Sequence, residues 1–320
     1  MEPTMLFEEP KNPAWKSLII LLGLTFACSL FIQFFAIILV LIFSGFDTQV
    51  IDFTTGQPNP ENTFVIYVLL GASSLSTFLI PALILQMIEK RQYLYFPAQP
   101  QRASLYIVLT LLFMVASGPM MALISDWNKS MNLPAGLDAL ENWMRTNEDN
   151  MGDLIRRIVM VDSIPLLLLN LLVMAVIPAV VEEFYFRGSL QHIFGRMFRN
   201  AHVAIWVTAI IFSAIHLQFY GFFPRMILGL IFGYALLWTN NIWIPIIGHF
   251  VNNAYVTIYA YTYAKEGKTF EELQASEVYS VPIYIASIIG CIAIGYYFYK
   301  QSNQQKLTHE SKLDKDQGLY

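Results

Sequence analysis

The sequence predicts an all-α, polytopic transmembrane bundle of about eight helices. Of its 320 residues, 56% are hydrophobic and only 13% are charged, which is about half the charged fraction of a typical soluble domain. The apolar residues also fall into blocks close to the roughly 20 residues that cross a bilayer as one helix. Spans are expected at 17–43, 64–88, 103–125, 164–181, 202–217, 225–239, 242–263 and 281–299, the fourth with a polar continuation.

One membrane domain accounts for nearly the whole chain. We predict an N-terminal arm over 1–16, a membrane domain over 17–299 and a polar tail over 300–320. Within the segment 126–163, apolar residues recur at helical spacing opposite charged ones, which is typical of an amphipathic helix lying on the membrane surface. This interfacial helix is expected over about 137–160.

The distribution of basic residues predicts the orientation of the bundle. If all eight spans cross the membrane, 12 Lys and Arg residues fall on the side of the two termini and 7 on the other side. Because cytoplasmic segments carry the excess of Lys and Arg, both termini and the 89–102 loop are expected in the cytoplasm. We interpret the chain as an integral protein of a bacterial inner (plasma) membrane.

Charge and cysteine content argue against two other classes of function. The net charge is −4 and the tail mixes acidic and basic residues without a basic run, so no nucleic-acid partner is expected. Cys28 and Cys291 lie inside apolar blocks, where a thiol behaves as a small apolar side chain rather than as half of a disulfide. Membrane lipids are the partner that composition predicts, and the oligomeric state stays open.

The fourth span runs into charged residues without an intervening turn. Glu182 and Glu183 follow an apolar run directly, and Arg187 comes four residues after Glu183. A charged side chain at mid-bilayer costs about 2.5–3.5 kcal/mol unless it is paired, protonated or wetted. The Glu183–Arg187 spacing predicts a helical ion pair with a structural, supporting role. Glu182 points about 100° away around the helix and has no local partner, so it is the candidate for chemistry.

His216 ends the fifth span and is a candidate neighbour of Glu182. A polar cluster between positions 196 and 202 must form the turn between spans four and five. Both residues lie 17 positions from residue 199, and residues equally far from the turn of an antiparallel helical hairpin share one depth. The spacing therefore allows the two side chains to meet.

His249 and Asn253 are expected on one face of the seventh span, because they are four residues apart. The span begins near Pro245, where proline suits a first helical turn. Gly248 leaves room for a close approach of backbone or substrate. With Glu182 and His216, the pair completes a polar cluster drawn from three spans.

Each of these residues taken alone has a simpler structural interpretation. A single histidine or asparagine in a membrane helix is more often an interhelical hydrogen-bonding group than a catalyst. His192, His202 and His309 fall at or beyond the predicted membrane edge and are expected to be solvated. Four polar groups placed jointly on three spans are harder to explain by structure alone, which favours a chemical function.

Three sequence motifs resemble those of a known family. Residues 182–187 resemble the EExxxR motif, 212–216 the FxxxH motif and 249–253 the HxxxN motif of the CPBP family. These proteins are the CAAX-protease and bacteriocin-processing intramembrane peptidases, related to the type II CAAX prenyl endopeptidase. Each motif alone is weakly specific, whereas all three in this order are specific. The resemblance covers roughly a third of the chain and implies a peptidase core over about 160–263.

The resemblance implies an intramembrane endopeptidase whose catalytic residues are Glu182, His216, His249 and Asn253. In the family's scheme Glu182 and His216 activate a water molecule, while His249 and Asn253 stabilise the oxyanion of the tetrahedral intermediate. The chemistry of the side chains agrees with this division. A carboxylate in a poorly solvated site can serve as the base, and the asparagine amide is a neutral donor that suits an oxyanion.

A metal-dependent mechanism is the alternative that the same residues allow. Glu182, His216 and His249 could bind a divalent ion such as zinc and leave one position open for water, and the family has been described as metalloproteases on this basis. The local HExxH pattern is absent from the sequence, although it is the usual mark of such enzymes. Metal-free glutamate catalysis is the preferred interpretation, and no cofactor is certain.

A transporter that relays protons through Glu182, or a non-catalytic scaffold, would also place polar residues in a membrane. A transporter usually shows two similar halves with interrupted helices, whereas the polar cluster here lies only in the C-terminal half. A scaffold has no need of an unpaired glutamate. The substrate stays open, because a prenylated CAAX-type protein and a leader or bacteriocin peptide fit the resemblance equally well.

Labelling of single cysteines tests the predicted orientation. In a protein whose two natural cysteines are replaced by serine, a cysteine introduced into the 89–102 loop should react only with a membrane-impermeant maleimide added on the cytoplasmic side. The reason is that the excess of basic residues keeps that loop in the cytoplasm. Labelling only from the opposite side would reverse the orientation.

Overall fold

The computed structural model describes residues 10, 12–52, 57–59, 62–89, 95–99, 102–275 and 278–316, and ten helices lie within them. The predicted all-α, polytopic fold is confirmed. The helices are α1 Ala14–Phe43, α2 Thr63–Glu89, α3 Ala103–Lys129, α4 Asp138–Val159, α5 Ile164–Phe198, α6 Ala201–Ala214, α7 Phe222–Thr239, α8 Trp243–Lys265, α9 Phe270–Gln274 and α10 Val281–Asp316.

Eight of these helices stand where the sequence predicts membrane spans. Six of them, α1, α2, α3, α5, α7 and α10, are long and apolar enough to cross a bilayer. Helix α6 is apolar but has only 14 residues. Helix α8 has 23 residues, but its polar residues His249, Asn252 and Asn253 make it less apolar than the other spans. The chain is an integral membrane protein.

Large apolar side chains face outward along the spans. On α1, for example, Phe26 is 69% exposed and Phe31 is 66% exposed. In water such a surface would drive aggregation, whereas in a bilayer the hydrocarbon tails solvate it. The exposed apolar surface therefore fits the membrane environment that the composition predicts.

The connection between α1 and α2 contains a short exception to the helical fold. Strand β1, Ile51–Asp52, pairs antiparallel with strand β2, Gln57–Pro58, so that Ile51 faces Pro58 and Asp52 faces Gln57. Helix α2 then begins after Asn62, whose side chain accepts a hydrogen bond from the Val65 N–H at 3.2 Å. Such a cap satisfies one of the free N–H groups at a helix start.

Helix α4 lies where the sequence predicts an interfacial amphipathic helix. Its C-terminal residues Ile158 and Val159 are buried against Tyr67 of α2 and Ala260 of α8. Asn170 of α5 strengthens this junction by donating a 2.7 Å hydrogen bond to the Ile158 carbonyl. The N-terminal half of α4 is largely exposed. The helix is thus anchored at one end.

Helix α10 continues beyond the predicted end of its membrane span. The sequence places that end at 299, and the described helix extends without a break to Asp316. The polar segment after 299 is therefore helical over most of its length.

Helix α5 contains two π segments on either side of Glu182 and Glu183. The first is Leu171–Val176 and the second is Phe184–Leu190. A π segment takes an extra residue into a helical turn, and such segments occur mostly at functional sites and are among the known causes of helix bending. The two acidic residues therefore lie on a short α-helical piece of α5, Ile177–Glu183, between two irregular turns.

Helices α6 and α7 approach closely because two glycines on α7 carry no side chain. A Cβ atom on Gly229 would lie 3.0 Å from the Cβ of Ala209, and one on Gly233 would lie 2.8 Å from Cγ2 of Ile205. Close contacts at small residues are the usual way in which membrane helices associate. This packing holds α7 against the hairpin formed by α5 and α6.

The described loop 95–99 packs against α5 and against the turn between α7 and α8. The Ile242 N–H donates a 2.7 Å hydrogen bond to the Pro97 carbonyl. His192 was expected to be solvated, but its ring packs edge-on against Tyr95 at 5.0 Å between centroids, so that expectation is wrong. His202 is exposed as predicted, and the side chain of His309 lies outside the described residues.

Burial of Tyr95 also decides where a topology label belongs. Tyr95 is only 1% exposed, and a cysteine at that position would be poorly accessible from either side of the membrane. Gln99 is exposed and belongs to the same loop. It is therefore the better position for the introduced cysteine.

Gly188 is predicted to be essential for the contact between α5 and this loop. A Cβ atom there would lie 2.8 Å from the Phe96 ring and 2.9 Å from the Tyr95 carbonyl oxygen, distances at which something must shift. We expect Gly188→Ala to lower the free energy of unfolding by about 1–3 kcal/mol, the usual cost of overpacking. Thermal melting of the purified protein in detergent measures the effect.

Gly195→Ala is the matched control on the same helix. A Cβ atom at Gly195 would meet nothing within 4 Å, and alanine is the better helix former. Its melting temperature should be equal to or above that of the unsubstituted protein. Equal melting of the two variants would show that the loop contact contributes nothing.

Candidate active site

A fully buried ion pair lies at the centre of the polar cluster. Glu183 and Arg187 form the predicted i,i+4 pair, with Arg187 Nη1 at 2.8 Å from Glu183 Oε1 and both side chains 0% exposed. Arg187 Nη2 donates a second hydrogen bond to the Gly229 carbonyl at 3.0 Å. The guanidinium also lies over the Phe212 ring at 4.5 Å and near the Phe232 ring at 5.5 Å. Two hydrogen bonds and two aromatic rings thus compensate the Arg187 guanidinium for the hydration that it loses on burial.

Glu183 has a second partner that the sequence did not indicate. His249 Nδ1 lies 2.9 Å from Glu183 Oε1, and the His249 ring stacks on Phe232 at 5.3 Å between centroids. A carboxylate engaged with an arginine can only accept hydrogen bonds. His249 Nδ1 must therefore carry a proton, and the opposite nitrogen, Nε2, points toward Glu182 Oε2 at 3.9 Å.

Glu182 is consequently not isolated, although it has no partner on its own helix. Its side chain is 13% exposed, compared with 0% for Glu183. The two adjacent glutamates therefore differ as the helix geometry predicts: Glu183 points into a closed ion pair, and Glu182 retains some accessibility beside the free nitrogen of His249.

His216 is oriented by its own helix. Its Nδ1 lies 2.8 Å from the Phe212 carbonyl oxygen, which can only accept a hydrogen bond. In the neutral ring Nδ1 therefore carries the proton and Nε2 carries the lone pair. The ring also packs edge-on against Phe212 at 5.3 Å.

The structure does not join His216 to Glu182 directly. Among the described residues, no hydrogen bond or ion pair links the two side chains. Helix α6 ends at Ala214, so His216 lies beyond the helix whose regular geometry the hairpin argument assumed. The two residues are instead related through shared neighbours, since both interact electrostatically with His249 and Arg225.

Asn253 lies one helical turn after His249 on α8. Its Oδ1 accepts a hydrogen bond from Asn252 Nδ2 at 3.1 Å, which leaves the Asn253 NH₂ group as a donor. Thr257 donates to the Asn253 backbone carbonyl at 2.8 Å. The predicted pair on one face of α8 is therefore formed, with one asparagine donor not used by the contacts described.

Arg225 is a residue of the site that the sequence did not single out. It lies in the first turn of α7, and its Nη2 donates a 2.6 Å hydrogen bond to Gln218 Oε1. Its Nη1 is buried and has no hydrogen-bond partner in the part of the chain that the structure describes. In the sequence it resembles an ordinary loop cation after the fifth span, and no pattern there marks it as buried.

A pocket of about 330 Å³ lies at the connection between α6 and α7, and Ala214 and Leu217, on either side of His216 in the sequence, are among its lining residues. It is formed by the end of α3, by α4 and by the connection between α6 and α7, and its lining is mostly apolar. Within α4, Glu148 accepts a 3.4 Å hydrogen bond from the Tyr220 N–H, and burial raises the pKa of the Glu148 carboxyl above its usual value. The lining residues include Met131, Leu133, Met144, Leu217, Phe219 and Phe222.

The proposed metal ligands do not form a metal-binding group in this structure. Within the described residues, no three His, Cys, Asp or Glu side chains come together closely enough to hold one ion. The reason is that His216 has no direct contact with Glu182. The hydrogen bond of His249 Nδ1 to Glu183 is not an obstacle, because a metal-binding histidine usually gives its second ring nitrogen to a carboxylate or carbonyl. Glu182, His216 and His249 thus do not meet at one position in this structure.

The comparisons with known proteins agree with the motifs. Residues 164–255 match the family model described as type II CAAX prenyl endopeptidase Rce1-like. This segment contains α5 to the first half of α8, and with them all four candidate residues and Arg225.

Among curated proteins, the chain is similar to the uncharacterized protein YpbD of Bacillus subtilis (strain 168), with 25% identity over 120 residues. The match covers 36% of this chain and 57% of the relative. No solved structure matches the chain. The resemblance that the three motifs predict is thus confirmed over residues 164–255, which match the family model described as type II CAAX prenyl endopeptidase Rce1-like.

Proposed function

We propose that the chain is an intramembrane endopeptidase that hydrolyses a peptide bond of a membrane-associated substrate. The observation that carries this proposal is the arrangement of Glu182 and His249, whose Oε2 and Nε2 atoms are 3.9 Å apart. A partly accessible carboxylate thus lies beside an imidazole that a buried ion pair holds in place. The family match over the same residues supports hydrolysis of peptides as the chemistry.

Glu182 and His216 are the groups that we assign to water activation. Glu182 takes a proton from the water, and the resulting hydroxide attacks the scissile carbonyl carbon. His216 presents its Nε2 lone pair, because its Nδ1 proton is held by the Phe212 carbonyl. The tetrahedral intermediate then collapses with cleavage of the C–N bond, and Glu182 returns the proton to the leaving nitrogen, so that water and peptide give one carboxylic acid and one amine. Positioned proton transfer of this kind contributes typically 10²–10⁴-fold to a rate.

His249 and Asn253 are assigned to the oxyanion of the tetrahedral intermediate. Asn253 has an NH₂ donor outside its contact with Asn252, and a single such donor can be worth about 3 kcal/mol. His249 can donate from Nε2 when both ring nitrogens carry protons.

We derive no step through a metal ion, because the described donors do not converge on one position. The preferred mechanism is metal-free glutamate catalysis, and the zinc-dependent alternative is separated from it by experiment below.

The proposed substrate is a peptide or lipidated protein that reaches the site within the membrane. Both a prenylated CAAX-type protein and a leader or bacteriocin-type peptide belong to this class. We place the enzyme in a bacterial inner membrane with both termini in the cytoplasm, as the distribution of basic residues indicates.

Removal of either water-activating group should abolish proteolysis without unfolding the protein. We expect Glu182→Gln and His216→Ala each to lower the cleavage rate at least ~100-fold while the melting temperature stays within a few degrees. Cleavage is measured by mass spectrometry of membrane peptides incubated with each purified variant. The exposed Glu271 gives the matched control, and Glu271→Gln should retain full activity.

The same assay with and without a chelator separates the two mechanisms. Metal-free catalysis predicts equal rates for the unsubstituted protein in both conditions. Loss of activity on chelation, with recovery on adding zinc, would favour the metal alternative. Full activity of Glu182→Gln would remove the catalytic assignment under either mechanism.

Disruption of the buried ion pair should reduce stability and activity together. Glu183→Gln leaves Arg187 without its anion, and Arg187→Ala leaves Glu183 in the same position, so we expect about 3–5 kcal/mol of destabilisation from each. Activity should fall as well, because Glu183 also orients His249. Thermal melting and cleavage rates of the same preparations provide the two measurements.

A surface pair with the same spacing provides the control for this comparison. Glu141 and Arg145 are also four residues apart, at 2.6 Å, but their side chains are 17% and 43% exposed. Because exposed pairs contribute little to stability, the melting temperature of Glu141→Gln should be close to that of the unsubstituted protein. If the melting temperature of Glu183→Gln equalled that of Glu141→Gln, the buried pair would not have the structural role assigned to it.

A further inference from the structure

The Arg225 side chain is half-buried, and its guanidinium is only partly satisfied. Its Nη2 donates to Gln218 Oε1 at 2.6 Å, and its edge lies against the backbone at Gly221, where a Cβ atom would be 3.4 Å from Nη2. Its Nη1 is buried without a partner among the described residues. A buried donor left unsatisfied costs free energy comparable to a lost hydrogen bond, and more when it is charged.

No protein carboxylate neutralises this cation by direct contact. Arg225 forms no ion pair with any Asp or Glu in the part of the chain that the structure describes, in contrast to Arg187, which contacts Glu183 at 2.8 Å. Glu182 and Glu148 act on it electrostatically without touching it. Within the described residues, the acceptor that Arg225 contacts is the neutral amide oxygen of Gln218.

The position of Arg225 connects the proposed catalytic residues to the pocket. The guanidinium interacts electrostatically with Glu182 and His216. Its hydrogen-bond partner Gln218 and the nearby Phe222 both line the 330 Å³ pocket at the connection between α6 and α7. A chain that passes the scissile position and continues into the pocket would therefore pass within reach of Arg225.

We propose that Arg225 binds a carboxylate of the substrate and so determines which peptides are cut. The inference rests on the proposed endopeptidase function and adds a specificity-determining residue to it. The planar guanidinium fork matches the geometry of a carboxylate, and the buried Nη1 supplies the unused donor. Apolar side chains of the same segment occupy the mostly apolar pocket.

The carboxylate has two chemical sources. It belongs to the C-terminal residue of the substrate or to an Asp or Glu side chain near the cut. Both present the same planar anion to Arg225, and only a comparison of peptides separates them.

The inference is tested directly by measuring how synthetic peptides bind to a variant that is expected to be catalytically inactive. The protein is Glu182→Gln in detergent micelles, and the probes are short, fluorescently labelled apolar peptides. They are prepared as the free acid, as the C-terminal amide, and as the amide with one internal Glu. Fluorescence anisotropy gives the dissociation constants, and cleavage of the same peptides by the unsubstituted protein is followed in parallel.

We expect at least one carboxylate-bearing peptide to bind roughly tenfold or more tightly than the plain amide, the range of a charge-assisted hydrogen bond. Tight binding of the free acid identifies the C-terminal carboxylate, and tight binding of the internal Glu peptide identifies a side chain. When Arg225→Gln is combined with Glu182→Gln, the dissociation constants of the carboxylate-bearing peptide and the plain amide should differ by less than about twofold. Arg156→Gln, at an exposed arginine of α4, should leave it unchanged.

Equal binding of the three peptides to protein that retains Arg225 would overturn the inference, even if the Arg225 variants fail to fold. A folded Arg225→Lys protein should bind carboxylates more weakly than the arginine does, because lysine lacks the planar fork. If the unsubstituted protein cleaves peptides without any carboxylate preference, the Arg225 inference fails and the peptidase stands. If no peptide is cleaved but the Arg225-dependent preference is present, the peptidase proposal fails and the carboxylate site stands.

Discussion

An ionised carboxylate that has no contact with solvent requires positive groups around it, because its desolvation costs several kcal/mol. Glu183 meets this constraint through Arg187 at 2.8 Å and His249 at 2.9 Å, and three helices are tied together as a result. Arg187 in turn donates to the Gly229 carbonyl of α7. Helices α5, α7 and α8 are therefore fixed relative to one another by a single buried anion.

This constraint also separates the roles of two adjacent glutamates. Since Glu183 already accepts hydrogen bonds from Arg187 and His249, it is unsuited to accept a proton from water. Glu182 shares its helix but points elsewhere, with 13% of its side chain exposed. The same ion pair fixes the proton on His249 Nδ1 and turns Nε2 toward Glu182. In the proposed mechanism Glu183 therefore has the structural task and Glu182 the chemical one, because adjacent residues point about 100° apart around a helix.

Local patterns were readable from the sequence, whereas contacts between distant segments were not. The apolar blocks predicted eight helix positions, and the i,i+4 rule predicted the Glu183–Arg187 pair, because both depend on residues within one helix. The Glu183–His249 contact joins residues 66 positions apart, and no periodicity encodes it. The hairpin argument for His216 treated α6 as regular to its end, but the helix stops at Ala214. Arg225 was hidden because the surroundings of a cation at the start of a span depend on tertiary packing.

The glycine contacts of α7 have a further consequence for any product that the enzyme releases. Side chains of α5 hold α7 at two heights, since Arg187 donates to the Gly229 carbonyl and Gln191 donates to the Gly233 carbonyl at 3.3 Å. Helix α7 therefore cannot slide along α5, and the separation between Arg225 and Glu182 is set by the scaffold. If the carboxylate bound at Arg225 is the C-terminal one, the distance from this anchor to the cut is fixed, and the released fragment would have a constant length whatever its side chains.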